Sequence, residues 1–189
     1  MRLIKIIVPC LLLSACIFGT SKSAKFYTQS VTAAEAISPS YAAFIGVNRV
    51  QLPKYMDRPQ MVTQRKNSDQ VTISEYNRWV ESPAVLATRV VTEDLSALLP
   101  AARIKMNHLK GEKFERIVWV EIVEINAVLG DKATLVAWYT IKDQAGKVLA
   151  HQKFTDVVLL GKTYDDVAKG YSNLLAHLSR EIAGALIEK

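Results

Sequence analysis

The chain has 189 residues, 50% of them hydrophobic, with 24 Lys+Arg against 18 Asp+Glu and a formal net charge of +6. Its basic residues are scattered among acids, with no basic cluster interleaved with stacking aromatics, which excludes a nucleic-acid module and leaves an ordinary solvated surface. The length suits one domain, no internal repeat occurs, and His108, His151 and His177 lie too far apart for any metal-ligand spacing.

The first five residues carry two cations, Arg2 and Lys5, and Ile6 to Leu13 is apolar before the small residues Ser14 and Ala15. That is the layout of a secretory signal peptide. The apolar stretch is about ten residues where a spanning helix takes about twenty, and Pro9 interrupts it. Leu13-Ser14-Ala15-Cys16 is similar to a bacterial lipobox, in which the thiol of Cys16 takes the lipid before cleavage. Residues 1–15 are then a signal, residues 16–25 a lipidated cysteine with a small, polar tether, and residues 26–189 one periplasmic domain. Cys10 leaves with the signal and Cys16 is consumed by lipid, so no disulfide or cysteine metal site is expected in the mature subunit. Loss of Arg2 and Lys5 leaves 22 basic against 18 acidic residues, a net of +4. One acyl chain holds a protein to a bilayer marginally and several hold it firmly, so a diacylglyceryl group with a further acyl chain such as palmitate is an effectively permanent anchor. Ile17, where enterobacterial inner-membrane lipoproteins carry aspartate, points by analogy to the periplasmic face of the outer membrane.

Phe26 to Val31 reads as a first strand, followed by a loop through Ser40. Tyr41 to Leu52 is rich in strand formers and ends at Pro53, which has no N–H for a ladder. Met61 to Arg65 and Gln70 to Ser74 form a hairpin across Asn67-Ser68-Asp69, residues that tolerate tight turns. Ser82-Pro83 opens a helix with a hydroxyl N-cap and proline at its first position. That helix runs to about Leu99 and buries Val91, Leu95 and Leu98. Phe114 to Asn126 is apolar on both alternations and is expected to be a central strand covered on both sides. Turns at Gly130-Asp131 and Asp143 to Gly146 fold the next two segments, residues 133–142 and 147–160, into an antiparallel meander. Thr163 and Asp166 suit a capping box. Val167, Tyr171, Leu174, Leu178, Ile182 and Leu186 recur every three or four residues as the stripe of a long amphipathic helix. The mixed charges on its other side favour core packing over membrane contact.

These elements define an α+β fold, an antiparallel sheet with two principal helices packed on one face. The other face or an edge is left for a partner. No nucleophile elbow, zinc-binding pair or phosphate loop is present, and Asp165-Asp166 is accounted for by the start of a helix. Glu121, on an apolar strand, is the single candidate acid, and it has no second group to form a catalytic constellation. No enzyme activity, cofactor or metal is therefore expected.

The lipobox, the block Arg49-Val50-Gln51-Leu52-Pro53-x-Tyr55-x-Asp57-Arg58-Pro59-Gln60-Met61-Val62 and Tyr76-x-Arg78-Trp79, in that order, resemble the PqiC family of ABC-type transport auxiliary lipoproteins. The resemblance implies an auxiliary docking subunit at the outer membrane for an MCE/ABC-type system that carries lipid between the membranes and supports envelope integrity. Its implied partners are an MCE-domain periplasmic protein and its ABC permease system, with self-association into a homo-oligomer left open. Tyr55, Asp57, Arg58 and Gln60 in the proline-flanked block are its candidate partner contacts, but two prolines and a short polar turn are first explained as folding the crossover. The alternative is an envelope assembly lipoprotein, a pilot or chaperone for another outer-membrane complex; a lipid hydrolase lacks its nucleophile.

Overall fold

The computed structural model describes residues 22–33, 35–107 and 111–188. The signal segment, Cys16 and His108 lie outside the described residues. In chain order the elements are β1 (Lys25–Tyr27), β2 (Phe44–Val47), β3 (Gln60–Gln64), β4 (Val71–Trp79), α1 (Pro83–Leu98), β5 (Arg103–Met106), β6 (Arg116–Ala127), β7 (Lys132–Asp143), β8 (Val148–Leu159) and α2 (Tyr164–Ile187). The fold is α+β, with a three-stranded sheet ordered β1-β4-β3 and a five-stranded sheet ordered β5-β2-β6-β7-β8.

Both sheets are mixed, which corrects the expectation of one antiparallel sheet. The β6-β7-β8 meander and the β3–β4 hairpin are antiparallel, as local turn chemistry requires. Their turns place Asn67, Gly130 and Gly146 at positive φ, a conformation open to asparagine and glycine. By contrast β1 runs parallel to β4, and β2 lies parallel to β5 on one side and β6 on the other. Parallel neighbours need a long crossover. Here β3, β4 and α1 together supply it, returning the chain to lay β5 beside β2.

The helices cover one face of the large sheet. Every residue of the anticipated α2 stripe is buried, and it meets Val118, Val120 and Ile122 of β6, Leu135, Tyr139 and Ile141 of β7, and Leu86, Val91 and Leu95 of α1 in one core. Thr163 and Asp166 make the capping box: Asp166 N donates to Thr163 Oγ1 at 3.2 Å and Thr163 N to Asp166 Oδ2 at 2.9 Å. Bonds from the Thr163 hydroxyl and N–H hold the Asp166 carboxyl below its ordinary value. Trp79 at the end of β4 stacks on Tyr171 of α2 at 6.0 Å, joining the small sheet to the helical layer. Gly46 in β2 admits the Phe114 ring so closely that an added Cβ would lie 2.7 Å from it.

Three local readings change. The first strand is shorter than expected, because residues 28–33 leave the sheet and cross the helices. Arg89 Nη2 donates to Thr28 Oγ1 and Gln29 O, Ser30 N donates to Ser172 Oγ, and Thr32 N and Ala33 N both donate to Asp94 Oδ1 at 3.1 Å. The stretch Tyr41 to Leu52 is a strand only at Phe44–Val47. Finally, β6 is central but alternates, with Val118, Val120 and Ile122 inside and Trp119, Glu121 and Val123 outside.

Asp94 is fully buried in α1, and burial raises its carboxyl above the ordinary value against the two backbone bonds that lower it. A carboxyl raised by folding binds its proton more tightly in the native state. Its stabilising contribution is therefore complete below about pH 4 and is lost as the pH climbs through the folded value. Asp94→Asn keeps an acceptor for Thr32 and Ala33, so its urea-unfolding free energy should vary less with pH above about 4 than that of the wild type. Asp94→Ala strands both N–H groups and should lower stability by about 1–3 kcal/mol. Equal stability of the alanine variant and the wild type would show that this strap is not held by Asp94.

Candidate functional site

The block Arg49 to Gln60 folds as a crossover between the two sheets. After β2 the chain stays beside β6, since Asn48 N donates to Val118 O and Gln51 N to Val120 O, while Ile122 N donates to Gln51 O. Between those bonds Val50 N turns away and donates to Thr88 Oγ1 of α1 at 2.9 Å, and that hydroxyl donates onward to Ala84 O. Pro53 follows the isolated bridge that Gln51 makes with Glu121. Its carbonyl accepts from Met56 N at 2.9 Å and Asp57 N at 3.2 Å, a single turn that buries Met56 and leaves Tyr55 exposed. Pro59 O then accepts from Trp79 N at 2.7 Å, and Gln60 begins β3 opposite Arg78.

Asp57 has a specific task within this crossover. Ser82 stands at the N-cap of α1 and Pro83 at its first position, as the sequence indicates, but the Ser82 side chain makes no capping bond. Asp57 Oδ1 does so from the neighbouring loop, accepting from Ala84 N at 3.3 Å and from Ser82 Oγ at 2.6 Å. Arg49 Nη2 closes the cluster, 3.1 Å from Ser82 Oγ and 3.5 Å from Asp57 Oδ2. A carboxylate at a helix N-terminus satisfies an orphan N–H and meets the positive end of the dipole. Thus Asp57 binds the crossover to α1, Gln60 enters the ladder, and Arg58 is half-buried with Nε unpartnered. Tyr55 faces solvent, and partial burial with the charge of Glu124 raises its phenol above the ordinary value.

The crossover borders the uncovered sheet face that the sequence leaves for a partner, though apart from Glu121 none of the residues that form it is a site candidate in the sequence. On the side of the large sheet away from the helices, Trp119, Thr140 and His151 share one row across β6, β7 and β8, and Glu121, Trp138 and Lys153 share the next. Trp119 is 42% exposed and Trp138 36%. The Trp138 ring stacks on His151 at 4.9 Å with an 11° tilt, and Lys142 Nζ lies 5.5 Å from the centre of the Trp119 ring. Together with Gln51 and Glu121 they line a cleft of about 340 Å³. A second hollow of about 510 Å³, lined by Arg49, Asp57, Ala84 and Asn107, shares Gln51 and Trp119 with the first. Motif and tryptophan face are therefore one continuous surface. Farther along, Val123, Val157 and Leu159 add exposed apolar area, Leu159 at 88% exposure. The signal for this face was period-two alternation in β7, where Trp138, Thr140 and Lys142 alternate with Ala137, Tyr139 and Ile141.

Other chemistry-bearing residues are dispersed. His177 on α2 pairs with Asp156 at 2.6 Å, on the helical side of β8. Glu121 is exposed beside Gln51 and across from Trp138. Among the described residues no group of three His, Cys, Asp or Glu side chains could hold a metal ion, and no helix is long and apolar enough to cross a membrane.

Residues 27–183 match the family described as the ABC-type transport auxiliary lipoprotein component. The chain belongs to that family. It is a transport auxiliary family rather than an enzyme family. No curated protein matches the chain. Among solved structures, one of an uncharacterized protein has a TM-score of 0.71 at 17% identity, covering 86% of this chain and 98% of the other. Protein XCC0632 from Xanthomonas campestris, of family DUF330, has a TM-score of 0.67 at 12% identity, covering 85% and 93%. At these identities the likeness is one of fold.

Because Asp57 caps α1 from a distance, Asp57→Ala should cost about 0.5–2 kcal/mol in chemical unfolding, the range for loss of a helix cap. Asp57→Asn should cost less, since it can still accept from Ala84 N. A stability unchanged in Asp57→Ala would show that the cluster is incidental.

Proposed function

We propose that this family member is the lipid-anchored docking subunit of its transport system, held by Cys16 at the periplasmic face of the outer membrane and receiving an MCE-domain periplasmic protein on its uncovered sheet face. The observation that carries this reading is the outer side of the five-stranded sheet together with its last strand. β8 is an edge strand of 12 residues with neither proline nor glycine, and Val148, Val157 and Leu159 stand exposed along it. Proteins normally blunt such edges with charge, proline, bulges or a covering element, because unpaired N–H and C=O groups recruit other chains. β8 has a bulge at Val148–Ala150 and charges at Lys153 and Asp156, but no charge beyond Asp156, where Val157 and Leu159 stand exposed. A long edge beside apolar side chains suits strand addition by a partner, with backbone bonds giving affinity and alternate side chains giving selectivity. The family's auxiliary role in ABC-type transport supplies the class of partner. Tyr55, exposed at the crossover, extends the docking surface. Asp57 and Arg58 contribute by holding that crossover in shape.

The anchor and the surface are tested separately. Cys16→Ala should move the chain from the membrane pellet to the soluble fraction; continued pelleting ends the anchor reading. Val157→Lys with Leu159→Lys should weaken capture by the cognate MCE-domain protein about tenfold or more, the effect of removing central apolar contacts. Both positions are exposed, so circular dichroism should be unchanged. Undiminished capture by a folded double variant would remove β8 from the interface, and Tyr55→Ala puts the same question to the crossover.

A further inference from the structure

The cleft between Trp119 and Trp138 has a composition that plain apolar docking does not require. It carries a cation, Lys142, and an anion, Glu121, on either side of two exposed indoles. Among the described residues neither charge has an ion-pair partner, which is common on this surface; what sets these two apart is that both line one cleft with the two indoles. Register fixes their separation. Lys142 lies opposite Ile117 and Glu121 opposite Trp138, so four residues of β6 separate the two rows, about 13 Å at the backbone. Lys142 leans back over the Trp119 ring, on the row between, which closes about half of that distance. What remains is a strip about one row wide, with Lys142 at one end and Glu121 at the other, floored by aromatic rings; Lys153 shares the Glu121 row on β8 but does not line the cleft.

A neutral ligand covering this strip would desolvate both charges and compensate neither, which is unfavourable. A simple anion or cation would satisfy one end and leave the other. A small zwitterion satisfies both ends. Its phosphate would be met by Lys142 and by the imidazole of His151, whose Nδ1 is engaged with Thr140 Oγ1 at 2.9 Å. Its ammonium would be met by the Glu121 carboxylate, directly across the ladder from Trp138.

We propose that the Trp119–Trp138 cleft binds a zwitterionic phosphoamine group, the headgroup chemistry of phosphatidylethanolamine and phosphatidylcholine. Glu121 selects the amine, and Lys142 with His151 holds the phosphate. This is a ligand site beyond the docking role, and it is tested without any partner protein, so its failure leaves the β8 reading standing.

Both exposed indoles report on the cleft, while the third tryptophan, Trp79, is buried. The full chain in nonionic detergent micelles is titrated with O-phosphoethanolamine and, separately, with glycerol 3-phosphate, ethanolamine, inorganic phosphate and a neutral disaccharide. The expected result is a saturable change in tryptophan emission with phosphoethanolamine, at a concentration about tenfold or more below that for any single-charge probe. Glu121→Gln should erase the advantage over glycerol 3-phosphate, Lys142→Gln should weaken both, and Trp138→Phe should remove most of the signal. Micelles doped with phosphatidylethanolamine or with phosphatidylglycerol then separate the lipid from its free headgroup: preference for the former assigns the site to lipid, and a response to soluble phosphoethanolamine alone assigns it to the free compound. Equal response to all charged probes, a saturable response to the disaccharide alone, or an amine preference that survives in Glu121→Gln would each overturn the proposal. All three substituted positions lie on the outer sheet face, and unchanged circular dichroism confirms that a lost response is local.

Discussion

Two helices supply one apolar surface, and this protein applies all of it to a single side of the five-stranded sheet. α2 carries an unbroken stripe from Val167 to Leu186, every residue of it buried, and α1 lies beside it to complete the layer. Burial at about 25 cal/mol per Å² of apolar surface makes this packing the main stabilising term. It also settles the rest of the architecture. With both helices committed to the inner face, nothing in the described chain covers the outer one, and the alternation of β6 and β7 delivers Trp119 and Trp138 to that side. An exposed leucine or valine alone is unremarkable. Two tryptophans in adjacent strand rows, continuing toward an edge strand, make an exposed aromatic patch of the kind that marks contact sites.

The proline-flanked block has a dual position that explains its composition. Its first half runs as an irregular extension of β2 along β6, and the irregularity sends Val50 N to Thr88 rather than to the sheet. Arg49 is thereby turned toward Ser82 and Asp57, where three polar side chains and one backbone N–H close on the start of α1. Substituting one member affects a crossover, a helix terminus and the border of the tryptophan face together. A structural role and a role in recognition are thus compatible here, because the same cluster shapes the wall that Gln51 and Trp119 share.

How much of this the sequence disclosed follows from how local each determinant is. The meander was legible because Gly130 and Gly146 mark turns whose chemistry sits within a few residues, and both helices because their stripes and starts are local patterns. The β3–β4 hairpin was legible for the same reason. Parallel pairing was not: β2 finds β5 and β6 across a crossover dozens of residues long, and no short pattern encodes it. β5 is four residues, Arg-Ile-Lys-Met, with charges that hide its alternation. The apolar content of β6 suggested burial on both faces, yet its outward residues are a tryptophan, a glutamate and a valine that face solvent. The Asp57 cap was hidden by a decoy, since Ser82 occupies the proper position with a suitable hydroxyl and makes no bond to the helix.

α1 connects the two ends of the molecule that the functional reading needs. Its first turn is gripped by Asp57 beside the tryptophan face, and Thr88, one turn on, takes the N–H of Val50 from the same crossover. Its middle is gripped from the opposite direction, with Arg89 and Asp94 fastening residues 28–33, the segment that leads back toward the N-terminus. The helix has 16 residues, about 24 Å of nearly rigid rod. Ser172 adds a bond from α2 to the same strap, so residues 28–33 are laced to both helices. Under the proposed anchoring at Cys16, a pull on the chain reaches β1, paired with β4, and behind it the strap fixed to α1 and, through α1, the crossover, so force would be carried by the sheet and helical layers rather than by one loose loop.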